Sequence, residues 1–144
     1  MRHDEDTLYL PIKQEYFDQI IAGTKKEEFR EVKYGVTSSR YLQKDENGQL
    51  VLNPEVTEQG KKYYVDDYND GRFPFLPKLY KYLSLAVGYA KERDTALVEV
   101  THITHKPAKL LGNPVKYAWW VQVFHLGKVI EVHRKGEKQL RLQQ

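Results

Sequence analysis

Three closely spaced charged residues are the part of this sequence best suited to binding or catalysis. Lys25, Glu28 and Arg30 follow Gly23 within seven positions. Side chains alternate in an extended segment, so Glu28 and Arg30 share a face, and Lys25 reaches them from the preceding turn. A carboxylate between two cations can hold a phosphate or a polar base edge, and can accept a proton. The alternative interpretation is a surface ladder of salt bridges, each contributing about 0–1 kcal/mol.

The elements on either side of this segment would position it. Phe17, Ile20 and Ile21 have helical spacing within Gln14 to Ala22, and glycine is the residue that favours the left-handed conformation ending a helix. The sequence therefore predicts a helix over 14–22 that stops at Gly23. A strand from Glu28 to Val32 would follow, and a strand over 7–13 would precede the helix.

The remaining chain is predicted to be mainly strand. Tyr80 to Ala90 alternates large with small side chains, and Thr95 to Thr104 returns after a turn, which is the pattern of a hairpin. Strands are also predicted over 117–126 and 128–132, separated at Gly127 by a bend or bulge. Thr37 to Lys44 is predicted as a short helix, followed by a turn over 45–48.

These elements predict an α+β fold made of a single domain. Five or six strands and one main helix favour a curved mixed sheet that closes into a small barrel, since closure removes exposed strand edges. The chain of 144 residues fits one core. Its irregular segment, about 45–79, is interpreted as an insertion because it contains prolines and glycines without periodicity. The last residues, about 133–144, form a basic tail.

The spacing Gly-x-Lys-x-x-Glu-x-Arg at Gly23, Lys25, Glu28 and Arg30 resembles the signature of the ASCH domain family, relatives of the PUA RNA-binding fold. A second stretch, residues 87–100, is similar to the central hairpin of many members. The resemblance covers roughly residues 7–33 and 80–132. It implies a PUA-like barrel with the main helix over one opening. It also implies a ligand cleft at the Lys25, Glu28 and Arg30 positions.

The resemblance leaves two function classes open. The first is a module that binds RNA or a nucleotide-like ligand. The second is an enzyme in the same cleft, with Lys25 and Glu28 as catalytic residues. For a metal-independent ribonuclease, Glu28 would deprotonate a ribose 2′-hydroxyl while Lys25 or Arg30 stabilises the phosphorane. The family's amidohydrolases of acylated cytidine fit less well, because Glu28 stands where they have Thr and residues 105–116 contain no acid.

Two polar residues interrupt otherwise apolar strands. Glu99 and Gln122 are predicted either to line a polar cavity, where they would bind ligand, or to point outward. Trp119 and Trp120 are adjacent on a predicted strand, so one should face inward and the other outward.

A second candidate surface mixes cations with aromatic rings. Lys61, Lys62, Tyr63 and Arg72 are predicted to bind nucleic acid, since rings stack on bases while cations follow phosphates. Three aspartates at positions 66, 67 and 70 would repel phosphate. In the competing interpretation, which is slightly favoured, the rings of this insertion pin it to the barrel.

Composition excludes several classes of protein. The chain is 40% hydrophobic and 30% charged, contains no cysteine, and has no apolar run long enough for a membrane span, so a cytoplasmic protein without disulfides is expected. Residues 106–144 contain eight Lys or Arg and two Glu, which gives this part a charge of +6 against −3 for the remainder. His102 and His105 should face opposite sides of a strand, so neither a metal site nor a cofactor is predicted.

Overall fold

A computed structural model of the chain describes residues 6–33, 38–52, 75–107 and 118–136. Seven elements occur in these ranges. They are β1 (Thr7–Ile12), α1 (Gln14–Ala22), β2 (Glu27–Lys33), α2 (Ser38–Tyr41), β3 (Tyr82–Val87), β4 (Thr95–Pro107) and β5 (Ala118–His133). The predominance of strands agrees with the predicted α+β class. The five strands form one sheet in the order β1-β3-β4-β5-β2.

The chain divides into two compact units. The first contains residues 1–28, 80–102 and 125–144, and the second contains residues 29–79 and 103–124. Among the described residues, no helix has the length and apolar character needed to span a membrane.

Helix α1 has the predicted limits, and Gly23 is the reason it ends where it does. Gly23 has a φ of 82°, in the left-handed region. Its N–H donates to Ile20 O at 3.1 Å, and the next two backbone N–H groups, of Thr24 and Lys25, donate to Gln19 O. These bonds satisfy carbonyls that the helix end would otherwise leave open. The chain then turns directly into β2.

The core of the first unit comes from alternating apolar positions. β1 and β3 are parallel, with Leu8 paired to Leu83 and Leu10 to Leu85. β3 is in turn antiparallel to β4, which confirms the predicted hairpin. Phe17 of α1 is completely buried against this layer. Burial of such side chains contributes about 1.5–3 kcal/mol each.

The second unit has a different burial pattern, because consecutive residues of β5 are buried. Residues 120–124 are all less than 9% exposed, so both faces of this stretch are covered. Phe124 is completely buried, and its ring centroid lies 6.4 Å from that of Tyr41. Trp120 is buried, while the side chain of Trp119 lies outside the described residues. Backbone hydrogen bonds join the end of α2 and the residues after it to residues 76–78. One of them runs from Gln43 N–H to Leu76 O at 2.9 Å.

Several predicted limits were wrong. β4 runs to Pro107 rather than Thr104, β3 begins at Tyr82 rather than Tyr80, and the helix predicted over 37–44 is the shorter α2. β3 ends at Val87 rather than Ala90, because Gly88 adopts a left-handed φ of 69° and begins the turn. The two strands predicted on either side of Gly127 are one continuous strand, β5. Gly127 therefore does not separate two strands. A Cβ there would overlap Glu99 Oε1 and lie 2.9 Å from Thr101 Cγ2, so glycine allows β4 side chains to lie close.

Arg134, the residue after β5, joins α1 and the turn after β3 within the first unit. Arg134 Nη1 donates to Asp18 Oδ1 of α1 at 2.7 Å and to Asp94 Oδ2, in the turn after β3, at 2.9 Å. The guanidinium also lies 5.0 Å from the centroid of the Phe17 ring. Arg134 holds the pKa of the Asp18 carboxyl below its usual value, and the backbone N–H of Lys135 does so for Asp94. Arg134 is thus neutralised within the fold, and residues 137–144 of the predicted basic tail lie outside the described residues.

Candidate ligand-binding site

Lys25 and Glu28, two of the predicted site residues, are in contact. Lys25 Nζ lies 3.4 Å from Glu28 Oε1, and the two side chains are 16% and 8% exposed. The ammonium also lies 5.3 Å from the centroid of the Tyr16 ring on α1. We call Tyr16, Lys25 and Glu28 the Lys25 site.

The local fold explains this contact. Left-handed Gly23 reverses the chain at the end of α1, and the Lys25 backbone N–H is held by Gln19 O at 3.1 Å. This holds Lys25 beside the helix that carries Tyr16. β2 begins at Glu27, and strand alternation directs Glu28 to the buried side and Glu27 to the other.

Burial distinguishes this pair from a surface ladder. Glu28 is only 6% exposed, so its carboxylate has lost most of its water. The desolvation of a buried pair offsets most of the Coulomb attraction, and such pairs contribute little net stability. A preformed cation beside a desolvated carboxylate is instead suited to recognising a group that carries both a negative charge and a hydrogen-bond donor.

Glu99, also in the first unit, contacts its neighbouring strand. It is half-buried in β4, and its Oε1 accepts from the Lys128 backbone N–H at 3.4 Å. The same oxygen lies against Gly127. These contacts place Glu99 along β5.

Gln122 and Arg30 belong to the second unit. Gln122 is completely buried, so of the two orientations left open for it, the inward one is correct. Its Nε2 donates to His105 Nε2 at 3.0 Å, and no hydrogen-bond partner for its Oε1 occurs in the described part of the chain. Arg30 lies in β2, half-buried, with its Nε atom buried.

His105 is the buried partner of Gln122, and it was not among the predicted site residues. It is 6% exposed, and this burial lowers its pKa to about 3. Because Gln122 Nε2 donates to it, His105 Nε2 must carry a lone pair, so the neutral ring bears its proton on Nδ1. No sequence pattern indicates that a single histidine in a strand will be buried and bonded to a distant glutamine.

Sequence reasoning also missed a histidine pair in the first unit. His102 of β4 and His125 of β5 stack with centroids 3.9 Å apart and planes 5° from parallel. His125 Nδ1 lies 3.3 Å from Glu27 Oε2. The opposite environments of exposed His102 and buried His105 agree with the prediction for that strand. Only the register of β4 on β5 could have paired His102 with His125.

These groups do not form a metal centre. In the described ranges, no three His, Asp or Glu side chains are arranged to hold an ion. The lone pairs of the two stacked imidazoles lie in two nearly parallel planes, whereas a metal needs ligands that converge on one point.

The predicted nucleic-acid residues of the insertion, Lys61, Lys62, Tyr63 and Arg72, lie outside the described residues. Comparison with known proteins adds no further candidates. No protein-family model matches the chain, and no curated protein or solved structure is similar enough to count as a match.

Proposed function

We propose that this protein is a binding module for RNA or a nucleotide-like ligand, and that the Lys25 site contacts the ligand's phosphate or a polar base edge. The observation that supports this proposal is the Lys25–Glu28 pair, 3.4 Å apart, with Glu28 only 6% exposed. A ligand phosphate would be attracted to the Lys25 ammonium, and the Glu28 carboxylate would accept from an N–H or O–H of the ligand.

Arg30 is included in the proposed site because of the sequence motif. It follows Glu28 by two positions in β2. The fold that we propose to carry the site is the PUA-like barrel of the ASCH resemblance, with α1 over one opening. Glu99, in the first unit, is a further ligand-binding candidate on this proposal. Gln122, in the second unit, is a candidate by itself, and its Oε1 would accept a donor from a ligand bound there.

The experiment is a binding titration of single-stranded RNA and of mononucleotides by fluorescence anisotropy. Lys25→Ala alone would leave the Glu28 carboxylate buried without this cation, so the informative variant is Lys25→Met/Glu28→Gln, which keeps both shapes and the net charge. We expect it to weaken binding roughly 10- to 100-fold, the equivalent of one lost charge-assisted hydrogen bond. Lys91→Ala, an exposed lysine in the turn after β3, is the matched control and should change affinity less than about twofold.

Salt dependence gives a second readout of the same proposal. Contacts to phosphate release counterions, so affinity for RNA should fall steeply as salt rises, with a smaller slope in the double variant. Binding that is equal in wild type and Lys25→Met/Glu28→Gln would refute the assignment of this site.

The alternative is an enzyme using the same residues. Glu28 would remove the proton of a ribose 2′-hydroxyl, the 2′-oxygen would attack the adjacent phosphorus, and the 5′-oxygen would leave. Lys25 would stabilise the added negative charge on the phosphorane. Mass spectrometry of the incubated RNA separates the two functions, since a cyclic phosphate product that disappears in Glu28→Gln indicates catalysis.

A further inference from the structure

The His102–His125 stack lies outside the Lys25 site and has no part in the function proposed above. His102 is exposed although His125 covers one face of its ring at 3.9 Å. The exposed surface of His102 therefore belongs to its outer face and its edges. A planar group placed on that face would extend the stack from two rings to three.

Polar contacts hold both rings in place. Thr101 Oγ1 donates its single proton to His125 O at 3.1 Å, so at its 3.0 Å contact with His102 Nδ1 it must accept. His102 consequently carries a proton on Nδ1. His125 Nδ1 is held in turn by Glu27 Oε2 at 3.3 Å. A surface that is ordered before binding loses less conformational entropy when a ligand arrives.

The strand itself is arranged to present His102. Val98 and Val100 are buried, as alternation requires, but Thr101 and His102 are both exposed, and the next buried residue is His105. This break in the alternation leaves His102 exposed on the strand.

We propose that His102, backed by His125, is a stacking platform for one base of a single-stranded RNA. Histidine is one of the side chains on which unpaired RNA bases stack. This inference rests on the proposed function, and it adds the substrate class, a strand of several nucleotides rather than a free nucleotide.

The geometry of β2 supports a strand over a mononucleotide. Glu27 faces the platform, whereas Glu28, the next residue, pairs with Lys25. Alternation puts these two contacts on opposite faces of β2, which is the last strand in the order of the sheet that the described residues form. A mononucleotide can occupy only one of the two positions. A nucleotide chain that crosses β2 can occupy both.

The test compares one RNA of about six nucleotides, within the range of known single-strand sites, with AMP. The RNA carries 2-aminopurine at each position in turn, since stacking quenches its fluorescence. We expect His102→Ala to weaken RNA binding about tenfold and to abolish quenching at one position. AMP affinity should not change. His102→Phe should retain the stacking, and His133→Ala, an exposed histidine of β5, is the matched control.

Each other outcome is decisive. If Lys25→Met/Glu28→Gln weakens RNA binding and His102→Ala does not, the platform is refuted while the proposed function stands. If His102→Ala weakens AMP as much as RNA, the division into two positions is refuted. Quenching that needs His102 but not Lys25 supports the platform and refutes the Lys25 site. A wild-type protein that binds no single-stranded RNA refutes both.

Discussion

Protonation of His105 should lower the stability of the protein as pH falls from 6.5 toward 3. The folded imidazole has a pKa of about 3, compared with the ordinary value of 6.5 that it regains on unfolding. Between these values the unfolded chain binds a proton that the folded chain does not. The stability contributed by neutral His105 is therefore complete above pH 6.5 and is lost as pH falls toward 3.

The magnitude follows from the same two values. At pH 5 the unfolded imidazole is almost fully protonated, whereas the folded one is almost fully neutral. The free energy of unfolding should consequently be about 2 kcal/mol lower at pH 5 than at pH 7 from this group alone. Rotating the Gln122 amide would offer Oε1 to a protonated ring, but the cation would still be only 6% exposed.

Urea unfolding at pH 5 and pH 7 measures this difference. His105→Asn removes the titration and keeps a hydrogen-bonding side chain beside Gln122, so its stability should change with pH about 2 kcal/mol less than that of wild type. His133→Asn, at an exposed histidine of β5, is the matched control. Equal pH dependence in wild type and His105→Asn would refute the assignment of a neutral buried imidazole.

Two further predictions concern packing of the first unit and use the same unfolding assay. Arg134→Gln should lower the free energy of unfolding by about 1–3 kcal/mol, because Asp94, 12% exposed, loses a charged donor. Lys135→Gln keeps the backbone N–H that binds Asp94 and should leave stability unchanged. Equal losses of stability in the two variants would contradict a stabilising Arg134–Asp94 ion pair. Gly127→Ala should lower stability by about 1–3 kcal/mol through overlap with β4 side chains, and Thr101→Ser, which removes Cγ2, should restore part of it. No loss in Gly127→Ala would show that the close packing is unimportant.

Local patterns predicted the elements well because their causes are local. α1 follows from apolar spacing between residues 14 and 22, and its end follows from a glycine that alone tolerates a φ of 82° without strain. The β3–β4 hairpin follows from alternation. β5 was divided wrongly at Gly127 because a glycine in a strand has two explanations, a bend or a close approach, and only the position of Glu99 distinguishes them.

The site was predictable only in part, for a physical reason. Lys25 and Glu28 are three positions apart, so the turn after α1 brings them together. Contacts between distant parts of the chain depend on strand register and on the end of β5, which no local pattern encodes. His102 on His125 and Arg134 on Asp18 are of this kind, the latter joining residues 116 positions apart.

The most direct test of the central claim is an NMR titration of the ¹⁵N-labelled protein with a short single-stranded RNA. We expect the backbone amides of residues 24–28 to shift and to saturate together with binding, while the amide of Lys91 does not move. These shifts should be absent in Lys25→Met/Glu28→Gln. RNA binding that leaves residues 24–28 unperturbed in the wild-type protein would show that the Lys25 site does not contact RNA.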